Sequence, residues 1–519
     1  MVRYLFFRVL RGLASIVIVV GIVMALVYST LDRNLIFSAD PVFSRQKSNA
    51  QQVYKMQQWE QYGYVDYVSY AEYLAQNLQG DAYAAAVTLG DTPAQDSADT
   101  KAQTEAFRSY YESQGYTVTR LTGLRQGGGR YREGGEPRLF AHRDVPLLKR
   151  MGRFFSGLFR LDTPNSVPGD VGERGLTFTW FDPVYGGEKF SPAILGNGTY
   201  HKYLLYFDDR FPWLHQNFLT VNLGQSYSVN TGVDVWQTMT EPQGARELRT
   251  VTYPSGHTAL TADDLHTATY APGSYEAGDA VTRQNFVDDY TAVATRKQGL
   301  SRLGYSFVIG IAAVAAAYLP AIPIALVMAR KKGGLGDILG SIYIAALLAV
   351  PSLAYVFLLK ALGGAAGLPV TFDLEAPTAA MLILPILSLT LPTLANLMKW
   401  LRRYLVDQKH ALYVRFARAN GASEGETMRL HVLRNAIIPI LHGLPASILG
   451  ALVGAILTER VYVVPGAGNL LTRAINAYDN GVIVGLTLFY AVLSVVSVIL
   501  GDLVLSAVDP RISLAGKEG

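Results

Sequence analysis

Apolar and polar positions are segregated along this chain rather than mixed. Windows at roughly 12–31, 304–329, 378–398, 436–458 and 482–508 hold almost no charge, and a sixth at 338–359 is bounded by Asp337 and Lys360. Each is long enough, as a helix, to cross the roughly 30 Å of hydrocarbon in a bilayer. Pro320, Pro323, Pro351, Pro385, Pro392, Pro439 and Pro445 fall inside these windows. Proline within a span is tolerated where neighbouring helices or cavity water satisfy the freed carbonyls. The pattern therefore predicts a bundle of kinked helices rather than isolated anchors. Asp502, in the last window, reads as a residue snorkelling near its helix end. Arg3, Arg8 and Arg11 precede the first window, as in a signal peptide. Its apolar run of about 20 residues exceeds a usual signal core, and no small-residue cleavage site follows Tyr28, so an uncleaved helix is expected.

Residues 31–300 mix polar and apolar positions and are rich in Tyr, with Trp180, Trp213 and Trp236 among them. Tyr203–Phe207 reads as a buried strand and Thr100–Tyr116 as an amphipathic helix. Gly127–Gly129 and the Pro/Gly clusters at 164–173 mark loops. An α+β domain is expected. Its chemistry is sparse: there is no His-Glu-x-x-His, no Gly-x-Ser-x-Gly and no Walker lysine loop. His201 and His215 flank Asp208 and Asp209, and read as packing or surface residues in preference to metal ligands. Asn197-Gly198-Thr199 fits a glycosylation sequon, yet Gly-Asn-Gly is more simply a turn. Arg130 after the glycine run speaks against a phosphate cradle.

Composition narrows the class. The chain has 519 residues, 50% apolar and 17% charged, with no Cys and a formal charge of +4. Soluble domains average about 25% charged residues, so a uniformly soluble enzyme is disfavoured, and the apolar content excludes disorder. The lack of Cys removes disulfide frameworks, thiolate catalysis and zinc fingers. A small positive charge is no argument for nucleic acid. Basic residues cluster at Arg3–Arg11, at Arg330–Lys332 and through Lys399–Arg434. With six crossings all three fall on one side, which is then cytoplasmic, with both termini inside and 31–300 outside. That outer segment carries 25 Lys/Arg against 30 Asp/Glu, net −5, and the remainder is net +9.

The strongest local signal lies in the basic loop. In Ala411-Leu-Tyr-Val-Arg-Phe-Ala-Arg-Ala-Asn-Gly421, Leu412, Phe416 and Ala419 share one helical face, while Arg415 and Arg418 lie elsewhere. Gly421 after Asn420 is a helix stop. Ser423 and Glu426 then write a capping box. Helix, glycine corner, helix at a membrane face suits docking into a partner's groove, or equally a helix lying on anionic lipid.

Tyr413–Glu424 followed by His431-Val-Leu-Arg-Asn-Ala-Ile-Ile-Pro439 resembles the coupling loop of the B-type permeases of dipeptide/oligopeptide ABC importers. Arg415, Phe416 and Ala417 stand where the general importer motif has Glu-Ala-Ala, so its Glu is replaced, as in the peptide-permease subgroup. Thr458–Gly468, Ala507-Val-Asp-Pro-Arg-Ile512, Arg8-Val-Leu-Arg and Asn222-Leu-Gly-Gln-Ser226 are similar to further blocks of that family, with Asn222 where Asp is common. The run 35–41 and His201–Phe207 resemble the Ami-type permeases of Gram-positive bacteria, which carry a large extracellular domain.

The resemblance implies a mainly α membrane protein with six transmembrane helices of the type I ABC importer fold and an extracellular α+β domain inserted between helices 1 and 2. Residues 1–31 would hold the N-terminal segment and helix 1, 32–300 the extracellular domain, and 301–519 helices 2–6 with a coupling loop at 399–435. It implies a permease without enzymatic activity of its own. Its partners would be a second homologous permease, two ATPases carrying ATP and Mg, and a lipid-anchored peptide-binding protein. Peptide would be the cargo and membrane lipid the surroundings. Phe416, Ala417 and Ala419 would pack into the ATPase groove; Arg415, Arg418 and Glu424 would make rim contacts; Gly421 would set the corner, and Asn420, Ala422 and Ser423 belong to the same ATPase-coupling segment. Pro465, Gly466 and Gly468 would shape an outer turn between the last two spans. A metal chelate or another small solute as cargo, or a membrane-anchored receptor, are the alternative readings.

Overall fold

The computed structural model describes residues 2–509 apart from 39, 79, 82, 85–91, 94–97, 122–137, 211 and 275–279. The chain opens with α1 (Val2–Thr30), a 29-residue helix about 43 Å long at 1.5 Å per residue, more than a bilayer core requires. Strands β1 (Val65–Ser69), β2 (Thr117–Leu121) and β3 (Arg138–Asp144) form an antiparallel sheet in the order β1–β3–β2. Helix α2 (Ala98–Ser113), at the position the amphipathic pattern predicts, packs Phe107 and Tyr111 against Leu139 and Ala141 of that sheet. Helix α3 (Leu147–Ser156) leads into β4 (Phe159–Leu161).

An antiparallel meander follows: β5 (Gly175–Phe181), β6 (Phe190–Asn197), β7 (Tyr203–Phe207) and β8 (Leu214–Gln216). The strand expected at 203–207 is β7, with Tyr203, Leu204 and Tyr206 buried. Asn197-Gly198-Thr199 is a turn, with Gly198 at φ 78°. The 164–173 segment carries no strand or helix; Gly127–Gly129 lie outside the described residues. Strand β9 (Leu219–Val221) returns to pair with β4. Then come α4 (Val235–Thr240) and the pairs β10 (Arg249–Thr252) with β11 (Thr258–Thr261) and β12 (Asp263–Thr269) with β13 (Ala292–Thr295).

The helical half begins with α5 (Arg302–Arg330), which carries Pro320 and Pro323 in its interior. Ala313, Ala317, Ala321, Ala325 and Ala329 recur every fourth residue on its buried face. Such small side chains let backbones approach closely, and α8 (Ile383–Lys409) packs there through Leu397, Leu401 and Leu405. Between them lie α6 (Leu335–Ala349) and α7 (Ser352–Ala365), set at 108° to each other. The single helix expected over 338–359 is thus corrected to a bent pair. Pro351 disfavours helical backbone at Val350, which sits at ψ 132°, so the first helix ends there. At 15 and 14 residues, neither half alone spans about 30 Å of hydrocarbon. Among the described residues five helices are long and apolar enough to cross a membrane, six if the bent pair is one span.

The window at 436–458 is shifted as well. A one-turn helix, Ile438–His442, precedes α10 (Leu444–Tyr462), because Pro439 and Pro445 each start a new helix. The half ends with α11 (Ala467–Asn476) and α12 (Asn480–Val508).

Side-chain contacts fix which helix ends lie together. Lys409 at the end of α8 donates to the carbonyl of Arg330 at the end of α5, 2.9 Å. Tyr4 and Arg8 of α1 reach Asp502 near the end of α12, at 2.9 and 3.0 Å. Asp502 is therefore a paired residue between two helices, not the lone snorkelling carboxylate expected from its position, because an unpaired charge there would lack solvation. At the opposite end, Phe372 donates through its backbone N–H to the Tyr462 carbonyl, 2.9 Å, and its ring meets Tyr305 at 5.0 Å. The path through α6 and α7 thus runs from one end of the bundle to the other.

That second end carries the mixed domain on a shared core. Leu223, Val235 and Met239 of the domain are buried with Met24 of α1, Leu470 of α11 and Val482 of α12. At its centre is Asp479, wholly buried. Its carboxylate accepts from the Ser226 hydroxyl (2.9 Å), the Tyr227 and Ser228 N–H groups (2.8 and 2.9 Å), the Ser228 hydroxyl (3.0 Å) and Val482 N–H (3.2 Å). A Cβ on Gly481 would run into the Gln225 carbonyl. Stripping a buried donor of its acceptor costs about 1–3 kcal/mol. Asp479→Ala, which strands several, is expected to cost about 3 kcal/mol or more and to expose 222–241 to chymotrypsin, which cuts after Tyr227 and Trp236. Tryptophan-monitored thermal unfolding and proteolysis indistinguishable from wild type would contradict this.

Candidate functional site

The predicted elbow forms from local signals. Helix α9 (Leu412–Ala419) ends as the sequence requires: Gly421 has φ 87°, its N–H donates to the Arg418 carbonyl at 3.0 Å, and Ala422 N–H donates to the Ala417 carbonyl at 3.2 Å. These two bonds are a Schellman motif, which needs a left-handed residue at its corner. Ser423 then caps the next helix. Its hydroxyl accepts from Glu426 N–H at 3.3 Å, and Glu426 takes the Ser423 N–H at 3.0 Å and hydroxyl at 2.8 Å. The Ser423 hydroxyl and N–H hold the Glu426 carboxyl below its ordinary value. That contribution is present above the usual Glu range and lost as pH falls through the lowered value.

The elbow is anchored from below and bare above. Val414 is buried in one cluster with Met328 of α5, Leu405 of α8 and Val432. Lys409 reaches Glu424 at 3.6 Å, so this predicted rim residue is paired within the chain. On the outer side Leu412 is 80% and Phe416 71% exposed, with Tyr413 and Leu430 beside them. Arg415, Arg418, Ala419 and Asn420 are exposed too. Tyr413, Phe416, Ala417, Asn420, Gly421, Ala422 and His431 line a shallow concavity. Burying two large apolar side chains is worth about 1.5–3 kcal/mol each. Both instead stand in water on a corner held by its caps and by buried Val414.

Pro465 and Gly466 lie far from the elbow, in the turn between α10 and α11, and Gly468 lies in the first turn of α11. Val463 leaves α10 at φ 60°. The carboxylate of Glu459, wholly buried, receives the Ser306 hydroxyl of α5 (2.5 Å) and Asn469 N–H (2.9 Å), while Ala467 N–H donates to Ser306 Oγ (2.9 Å). The glycines make room for it: a Cβ on Gly466 would collide with the Glu459 carboxylate, and one on Gly468 would lie 2.5 Å from Ile456 Cα. Sequence reasoning assigned no role to Glu459. An acid directly after an apolar window was the available signal, and its partner Ser306 lies 153 residues away. Asp337, buried against Arg402 of α8 at 2.5 Å, was likewise read only as a window boundary.

The two histidines are not brought together. His201 Nδ1 lies 3.0 Å from Asp162, and His215 stacks on Tyr206 at 5.3 Å between ring centres.

Residues 321–514 match the family model described as the inner membrane component of binding-protein-dependent transport systems. Fold and site thus define a membrane permease component. The oligopeptide transport system permease protein AmiC of Streptococcus pneumoniae is 32% identical over 527 residues, spanning 100% of both chains. The dipeptide transport system permease protein DppB of Lactococcus lactis is 33% identical over 137 residues, 26% of this chain and 45% of that one. A solved amino acid ABC transporter chain aligns with a TM-score of 0.30 and 16% identity, over 41% of this chain and 92% of that one. The chain belongs to the peptide-permease family of ABC importers, whose members are multi-pass membrane proteins.

The two glycine sites predict different costs. Open space surrounds Gly421, so Gly421→Ala meets only left-handed backbone strain, about 1 kcal/mol. Gly466→Ala must displace a buried carboxylate and costs about 1–3 kcal/mol in overpacking alone, more with the lost hydrogen bonds. Thermal unfolding should therefore rank wild type, Gly421→Ala, Gly466→Ala in falling stability. The reverse order of the two variants would contradict the geometry.

Proposed function

We propose that this chain is half of the translocation path of an ATP-driven oligopeptide importer, with the elbow and both termini in the cytoplasm and the mixed domain outside. One observation carries the reading: an apolar pair, Leu412 and Phe416, stands exposed on a capped and anchored corner, at the bundle end where the basic residues Arg330–Lys332 also lie. Such a surface suits the groove of a cytoplasmic ATPase. Phe416, Ala417 and Ala419 fill that groove; Arg415 and Arg418 contact its rim; Asn420, Gly421, Ala422 and Ser423 hold the corner. Lipid contact is the weaker reading of the elbow, because its cations Arg415 and Arg418 share a single turn rather than a long basic face.

A second homologous permease completes the path, and a lipid-anchored binding protein delivers peptide to the mixed domain. ATP and Mg are held by the two ATPase subunits. This chain supplies the moving bundle, which alternates between inward-open and outward-open states as the ATPases close and part. Pro465, Gly466 and Gly468 keep the outer turn tight around Glu459 during that motion.

Phe416→Ala is the direct test, because the side chain is exposed and its loss should change stability by no more than about 0.5 kcal/mol. In proteoliposomes holding the whole assembly, the variant is expected to lose at least ten-fold in ATP-driven tetra-alanine uptake and to retain less ATPase on purification. Undiminished uptake and retention would overturn the elbow's role. A wild-type assembly that moved a metal chelate and no peptide would overturn the cargo.

A further inference from the structure

The mixed domain holds a cleft of about 650 Å³ between α4 and the strands β7, β9, β12 and β13. That is the size range of small-ligand sites. Its floor is the 222–241 segment, whose Leu223, Val235 and Met239 belong to the core shared with α1, α11 and α12. The cleft therefore sits on the bundle, at the end opposite the elbow.

The charges in its lining are unevenly compensated. His201 lies against Asp162 at 3.0 Å, Lys297 against Glu241 at 3.0 Å and Arg296 against Asp209 at 2.8 Å. Arg210 and Asp264 also have ionisable neighbours, Glu247 and His266. Two groups remain. Arg160, on β4, has the Tyr200 ring 5.7 Å away and no ion pair among the described residues. Asp234 accepts Trp236 N–H at 2.7 Å as the N-cap of α4, and has no cation partner among the described residues. Burial without such a partner pushes the Asp234 carboxyl up to about 6, so a cation placed beside it would stabilise its ionised form. The half-buried Trp236 and the exposed Gln237 belong to the same lining.

One cleft thus offers a guanidinium and a backbone-held carboxyl that each lack an opposite charge among the described residues, beside the Trp236 ring, and a short peptide carries the complementary charges at its two ends. We propose that this cleft binds a short free peptide, with Arg160 receiving the C-terminal carboxylate and Asp234 the N-terminal ammonium. The inference rests on the oligopeptide-import reading and adds a substrate station in this chain itself, before the membrane path. Recognition of both ends limits the fitting peptides to a few residues.

The test uses the full chain assembled with its partner permease and ATPases in lipid nanodiscs, without the binding protein. The probes are tetra-alanine, its N-acetyl form and its C-terminal amide, titrated calorimetrically. Wild type is expected to bind tetra-alanine at least ten-fold more tightly than either blocked form. Arg160→Gln should abolish the preference for the free carboxylate, and Asp234→Asn the preference for the free amine. Asn serves as an N-cap as well as Asp, so α4 stays intact in the second variant. No binding by wild type, or an equal loss for all three probes in each variant, would overturn the site. ATP-driven tetra-alanine uptake by the assembly with its binding protein separates the two levels. Uptake that persists when the cleft shows no end-group preference sinks the cleft alone, and absence of uptake in wild type sinks the import reading.

Discussion

The Asp479 carboxylate sets what the rest of this chain can be. A buried carboxylate is costly unless its lone pairs are filled, and here five donors fill them, four from a single loop, Ser226–Ser228. The seat nails the mixed domain to the first turn of α12. Around it, Asn480 donates to the Tyr64 hydroxyl at 2.6 Å, Tyr62 stacks on Tyr227 at 3.8 Å, and Arg150 lies over the rings of Tyr28 and Tyr64 at 3.8 and 3.9 Å. Gly481 and Gly485 let the loop press on the helix. The domain therefore shares one core with the bundle.

Helix α5 joins the two ends of the machine. Ser306, near its start, holds the Glu459 carboxylate, and Met328, near its finish, covers Val414 under the elbow. The 22 residue steps from Ser306 to Met328 span about 33 Å at 1.5 Å per residue. Packed cores shift between discrete arrangements rather than bending continuously. Helix α5 is thus seated at both ends, against the Glu459 turn and against the elbow, with Pro320 and Pro323 in its interior.

What could be read from the sequence was local. The elbow was legible because its stop and start signals, Gly421 and the Ser423–Glu426 box, act within a few residues. The strand at 203–207 and the helix near 98–113 were legible for the same reason. The break at Pro351 was not, since apolar length reports how far a helix could run and not where its backbone must turn. Asp479 and Glu459 stayed silent because the hydroxyl partners that seat them, Ser226 and Ser306, lie more than 150 residues away in the chain. Asp502 was misread on the same ground: the Arg8 that pairs with it comes from the other end of the protein.

The side on which the elbow lies is decided most directly by chemical labelling, and the absence of cysteine from the chain makes that measurement clean. Arg418→Cys on the elbow and Lys101→Cys on α2 each give a single exposed thiol. With a membrane-impermeant maleimide on intact cells, the residue-101 variant should label and the residue-418 variant should not. After permeabilisation the residue-418 thiol should label when the ATPases are absent and be shielded when they are bound. Labelling of the residue-418 thiol from outside intact cells would contradict the assignment of the elbow to the cytoplasmic face.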